Sequence, residues 1–185
     1  MARHARFAVA AVAGFMLWSA SPALAASTYT VTNTGDSGAG SLRAAINSVD
    51  IAPNPPDTIV FAPSVTGVID ITSGPLAITQ SVAIDGPGAS TLELDGNGGQ
   101  IQIMTVNGSS TASISGLEFA FGAATGAGGA IDNLGTLSVS DSVFAHNSAG
   151  GQGGANDFTG AGDGGAIDNR GSLTVIDSTF TDNTA

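Results

Sequence analysis

From Thr58 onward, apolar and polar residues alternate in short runs bounded by Gly, Asn, Pro and Ser: TIVF, GVIDI, PLAI, SVAID, TLELDG, IQIMTV and ASISGLEF. Alternation with period two over such lengths is the pattern of strands that bury one face. Ahead of these runs, Leu42, Ala45, Ile46 and Val49 fall at helical spacing within SLRAAINSV. The prolines of APNPPD, residues 52–57, close that segment, because proline cannot continue a helix. One helix followed by many short strands is therefore expected.

The alternation is also repeated at long range. GGAIDNLGTLSVSDSVFAHNSA (residues 128–149) returns 36 residues later as GGAIDNRGSLTVIDSTFTDNTA (residues 164–185), with 14 of 22 positions identical and Ser/Thr exchanges among the rest. In TLSVSDSVF, Leu137 and Val139 would face one side and Ser138 and Ser140 the other. A weaker copy lies upstream, where Val106, Ile114 and Phe119 each precede Ile131, Val139 and Phe144 by 25 residues. A period of 22 to 25 residues built from two or three short strands predicts a solenoid. A single coil of that size buries too few side chains to offset the entropy of ordering its backbone, so coils are stable only when stacked. The expected architecture is all-β, a right-handed parallel β-helix of about six coils. Its N-terminal strand and capping helix occupy residues 26–57, the coils residues 58–185, and an insert loop residues 150–163. A helix laid across the first coil would cover an otherwise bare strand edge. No second cap is legible after the last repeat, so an open, truncated C-terminal end and end-to-end self-association through it are expected.

Composition narrows the setting. MARHAR, the 12-residue apolar run from Phe7 to Trp18 and the small residues of SASPALA form a secretory signal peptide over residues 1–25, too short in its apolar part to span a bilayer. The remaining chain sets 15 Asp and Glu against Arg43 and Arg170, with no lysine. That charge repels phosphate backbones and anionic lipid, which argues against nucleic-acid binding and membrane insertion. The absence of cysteine from the sequence means that an exported fold must hold without disulfides. A secreted or cell-surface location follows as an expectation.

GGAI at residues 128–131 and 164–167, with FAHN at 144–147 and FTDN at 180–183, is similar to the GGA[ILV] and FxxN motifs of polymorphic outer membrane proteins. These motifs recur in secreted bacterial right-handed parallel β-helix proteins. VTNTGDSGAGSLRAAI, residues 31–46, resembles the N-terminal segment of the same group, with Gly40 and Ala44 at positions that usually carry Cys and Glu. The resemblance implies a pectin-lyase-like fold and a role in adhesion or as a surface stalk. It implies no activity, because fold and function separate readily.

Candidate chemistry is sparse. Asp132 and Asp168 occupy the same place in the two AIDN segments, and Asp157 and Asp163 lie in the glycine-rich insert. Asp132 and Asp168 could form the carboxylate pair of a glycosidase or bind calcium, since carboxylates stacked one strand apart repel each other and a bound calcium ion would relieve this; with Asp157 and Asp163 of the insert they are the candidate calcium ligands. The competing reading makes AIDN a turn, with Asn133 and Asn169 in a hydrogen-bonded ladder and the aspartates facing solvent. No catalytic residue or organic cofactor is assigned. A polysaccharide lyase would need a base and cations to bind uronate, but Arg43 and Arg170 lie at opposite ends of the coil series. His146 reads as a surface residue, and Phe119, Phe144 and Phe180 as an internal aromatic stack. The expected function is a non-enzymatic secreted or surface module for adhesion or structural display, meeting a host surface, matrix or glycan. The alternative is a carbohydrate-active enzyme, a lyase or glycoside hydrolase of the same fold.

Overall fold

A computed structural model describes residues 26–50, 57–99, 101–150 and 164–185. Strand β1 (Thr28–Val31) and helix α1 (Leu42–Asp50) come first. Three circuits follow: β2 (Asp57–Phe61), β3 (Gly67–Asp70) and β4 (Leu76–Ile78); β5 (Val82–Asp85), β6 (Leu92–Asp95) and β7 (Met104–Val106); β8 (Thr111–Ser115), β9 (Glu118–Ala120), the short β10 (Ala123–Ala124) and β11 (Ile131–Asn133). The fourth comprises β12 (Thr136–Ser140), β13 (Val143–Ala145), the short β14 (Ser148–Ala149) and β15 (Ile167–Asn169). Strands β16 (Ser172–Ile176) and β17 (Thr179–Thr181) then begin a fifth.

Each circuit adds one strand to each of three parallel sheets. The first sheet runs β1-β2-β5-β8-β12-β16, the second β3-β6-β9-β13-β17 and the third β4-β7-β11-β15, with β10 and β14 pairing separately. All of these pairings are parallel, as a solenoid requires. The expected parallel β-solenoid is the observed fold. The coil count is corrected from about six to about four: the first sheet does hold six strands, but β1 leads into α1 and β16–β17 lack a third-sheet strand.

Residues that face inward recur at the same register. Phe119 pairs with Phe144 and Phe144 with Phe180, and the rings stack at 4.8 and 4.7 Å with their planes within 5° of parallel. Leu137 and Val139 are buried while Ser138 and Ser140 are only half-buried, as alternation predicts. One alignment is corrected. Ile131 pairs with Met104 rather than Val106, and Val106 lies under Asn133. The segment between second and third sheets is two residues longer in this coil, and the corner from third to first sheet is two shorter, so Val139 still falls 25 residues after its partner Ile114.

The apparent single strand ASISGLEF is bent into β8 and β9. At that corner Gly116, Asp141 and Asp177 of successive coils all take the left-handed conformation, with φ of 61°, 50° and 46°. The corner from second to third sheet repeats the device with Phe121, His146 and Asp182. Aspartate tolerates that conformation better than most side chains, and phenylalanine poorly. The ring of Phe121 stacks on His146 at 5.2 Å.

Helix α1 closes the N-terminal end. Ser41 caps it by accepting a hydrogen bond from the Ala44 amide at 3.1 Å. Leu42, Ala45, Ile46 and Val49 are all buried, against β1, β2 and β4. The proline segment expected to end the helix lies, except for Asp57, outside the described residues, as does the expected signal peptide. No helix among the described residues is long and apolar enough to cross a membrane.

A carboxylate latch ties this cap to the first coil. Asp36 accepts hydrogen bonds from Arg43 Nη2 at 2.7 Å, Thr72 Oγ1 at 3.1 Å, the Ser73 amide at 2.9 Å and the Ser73 hydroxyl. Arg43 also donates to the carbonyls of Gly74 and Pro75, at 2.7 and 3.0 Å. Burial alone would raise the Asp36 pKa. The hydrogen bonds from Ser73 and Arg43, with the Arg43 charge and Thr72, outweigh it and lower the pKa from 3.8 to about 2. A folded-state value below the unfolded one means stability that is complete above about pH 4–5 and lost as pH falls through about 2. Allowing for solvent screening, this is worth about 1–2 kcal/mol. Asp36→Asn should be destabilised by that amount at pH 6 in urea unfolding and should show a flatter decline between pH 4 and pH 2 than the parent chain. An acid decline identical to the parent's would show that another group carries it.

Candidate functional site

The two AIDN segments come together in the third sheet, where Asp132 pairs with Asp168 and Asn133 with Asn169 across β11 and β15. The paired glycines before them let the coils approach. A Cβ on Gly128 would collide with the Ile131 carbonyl and the Asp168 amide, and one on Gly129 with the Gly165 carbonyl. Only a backbone without side chains fits there. This gives the GGAI phrase its physical content.

The asparagines form the expected ladder. Asn133, fully buried, donates to Asn169 Oδ1 at 2.6 Å and to the Ser172 carbonyl at 3.0 Å, and accepts from the Gly135 amide at 3.1 Å. A second ladder runs through the FxxN segments. Asn147, also fully buried, accepts from the Gly122 amide at 2.8 Å and donates to the Phe119 carbonyl at 2.9 Å and to Asn183 Oδ1 at 3.0 Å. Asn183 repeats the motif one coil on by donating to the Phe144 carbonyl at 2.9 Å.

The aspartates do not simply face solvent. Asp168 is buried and Asp132 is half-buried, and both are engaged by Arg170, whose Nη2 lies 2.7 Å from Asp132 and whose Nε lies 3.0 Å from Asp168. The backbone fixes this arginine, because its amide donates to the Asn133 carbonyl at 2.8 Å. The hydrogen bond to Asp132 pushes the guanidinium pKa above its usual value; partial burial opposes this, and the charges of Asp132 and Asp168 reinforce it. Arg170 thus supplies, from within the chain, the positive charge that stacked carboxylates call for. Asp157 and Asp163, the other two candidate calcium ligands, lie outside the described residues. Among the described residues, no three His, Cys, Asp or Glu side chains gather as a metal site.

By sequence, Arg170 is only the residue that replaces Leu134 of the earlier repeat. A signal for its role is nevertheless present: an arginine two residues after Asp168, beside a strand whose neighbour repeats the aspartate, can reach both carboxylates. Arg170→Gln is expected to lower stability by about 1–2 kcal/mol, since the buried Asp168 carboxylate loses the guanidinium charge beside it while the arginine itself is half-exposed. Carboxylate repulsion is screened by ions, so the loss should shrink in concentrated sodium chloride. Urea unfolding at low and high salt checks this, and equal stability of both chains at low salt would contradict it.

A second acidic column stands on the outer face of the second sheet, where Asp70 pairs with Asp95 and Glu93 with Glu118. Burial and then the charges of Glu118, Asp95 and Asp70 raise the Glu93 pKa. Sequence pattern does not foreshadow that column, because it depends on register across three coils of dissimilar sequence. Arg43 and Arg170 have separate partners at the cap and the last coils. In comparisons with known proteins, no family model, no curated protein and no solved structure matches this chain.

Proposed function

We propose that this chain is an exported, non-catalytic β-solenoid module for adhesion or structural display. One observation carries the reading. The distinctive side chains of the repeat phrase are engaged in holding one coil to the next: Asn133 and Asn147 in ladders, Phe144 in a ring stack, and Asp132 and Asp168 in the grip of Arg170. A sequence repeated to maintain a regular stack is suited to presenting a long, uniform surface. The GGAI and FxxN resemblance to polymorphic outer membrane protein repeats supports this role, as does the signal-like segment over residues 1–25. Acidic surface columns favour a neutral glycan or protein partner over an anionic polymer.

A lyase reading would need an arginine free to act as base, whereas Arg170 is held between two carboxylates that keep it protonated. The test is to apply the exported chain to immobilised matrix proteins and to a panel of neutral and acidic glycans, reading both retention and release of soluble fragments. Saturable retention with intact glycans is the expected result. Fragment release would replace the proposal with the enzyme reading, and failure to bind any surface would remove the adhesive role.

A further inference from the structure

One strained side chain stands on the flank of the solenoid, at the corner from second to third sheet, in a coil with neighbours on both sides. Phe121 is 41% exposed and holds φ at 51°, a conformation that bulky side chains adopt only under constraint. Its ring stacks on His146 of the next coil at 5.2 Å. On the coil before, the matching place belongs to Gly96, whose amide donates to the Ala120 carbonyl as the Phe121 amide donates to that of Ala145. No side chain from that place covers the ring. The turn that follows, Asn97 to Gly99, is exposed. Beside it opens a hollow of about 440 Å³, with Gly99, Thr125 and Ser148 in its lining. Among the described residues, no hydrogen-bond partner engages the side-chain amide of Asn97 or the hydroxyls of Thr125 and Ser148.

We propose that this corner binds a neutral glycan, with one sugar ring lying on the open face of Phe121 and its hydroxyls held by Asn97, Thr125 and Ser148. The inference rests on the adhesive reading above and gives it a place and a ligand class. A pyranose ring has an apolar C–H face and a rim of hydroxyls. An exposed aromatic beside unengaged amide and hydroxyl groups offers the complement of both. Strain points the same way. Asparagine holds the left-handed conformation more readily than phenylalanine, and the core is already filled at this level by Phe119 and Phe144. Folding alone therefore gains little from an aromatic at residue 121, whereas strained residues gather where ligands are held.

Charge and composition select the sugar. Asp95 and Glu118 lie on the strands that lead into this corner, and the sequence carries a formal net charge of −11, so a uronate or sulfated polymer is repelled. A protein partner would need a contiguous apolar centre to its interface. Here the two rings stand beside Asn97, Gly98, Gly99, Thr125 and Ser148, which supply polar groups and bare backbone instead.

The decisive experiment titrates the full chain with neutral gluco-, manno-, galacto- and xylo-oligosaccharides, and with oligogalacturonate as the anionic control. Saturation transfer from aromatic protons to sugar C–H protons reads the contact. His146 is the one histidine beyond residue 25, so its ring signals report this corner and should shift with a neutral sugar only. Phe121→Asn should weaken binding about tenfold or more, while its urea midpoint equals or exceeds the parent's. Asn97→Gly keeps the turn, removes the amide and should weaken binding several-fold. Leu134→Asn, which removes an apolar side chain 42% exposed at another corner, should bind as the parent does. Sugar binding that survives Phe121→Asn would overturn the site and leave the adhesive reading standing. So would retention on matrix protein with no sugar bound, and a sharp fall in the Phe121→Asn midpoint would show that the ring serves packing instead. Retention on no surface at all would remove the adhesive reading itself, and this site with it.

Discussion

Phe144→Ala is expected to lower stability by about 3–5 kcal/mol, the cost of emptying a fully buried aromatic site. Phe144 is the middle ring of the three-ring stack, so the substitution removes two ring contacts and opens a void between Phe119 and Phe180. The neighbours cannot collapse into it, because their coils are held at fixed spacing by backbone hydrogen bonds. Phe180→Ala should cost much less, about 1 kcal/mol, since that ring has one neighbour and a bare outer face. Urea unfolding of the two variants under identical conditions makes the comparison. Equal losses would mean that the rings do not act as a stack.

Asn147→Ala should cost about 2–4 kcal/mol. Alanine leaves the Gly122 amide without its acceptor in a site closed to water, and strips the Phe119 carbonyl and Asn183 of their bonds to the Asn147 side chain. Each unsatisfied buried group costs about 1–3 kcal/mol. The equivalent change at Asn183 removes the acceptor of the Asn147 amide and a donor to the Phe144 carbonyl, but Asn183 lies on the outer coil and is half-buried, where water can substitute, so the loss there should be smaller. Equal denaturant midpoints for the two variants would show that the inner asparagine is no better enclosed than the outer.

The solenoid is legible in the sequence because two periodicities coincide: alternation within strands and recurrence of whole phrases between residues 128–149 and 164–185. Leu42, Ala45, Ile46 and Val49 reveal the cap in the same way, as helical spacing next to prolines. The corners are less legible. Gly116, Asp141 and Asp177 share a backbone conformation but not a side chain, so ASISGLEF reads as one strand. The expected count of coils is too high because strands of the first sheet recur six times, while complete circuits need all three sheets.

The carboxylate site is half legible. Pairing of Asp132 with Asp168 follows from the repeat, but Arg170 bonds to an aspartate 38 residues away, and only folded register brings them together. Asp36 shows the same limit. Its helix partner Arg43 is seven residues off, but Ser73 lies 37 residues away in a turn of the first coil. Local pattern reveals which face is buried. It does not reveal which polar groups on different coils converge.

Residue-resolved hydrogen exchange tests most directly whether stability passes from coil to coil. Amides of β8, β9, β12 and β13, with a coil on either side, should exchange last. Those of β16 and β17 should exchange first, with β15 close behind, because only one neighbour holds them. Protection that is equal in β16 and β12 would contradict a stack in which each coil depends on the next.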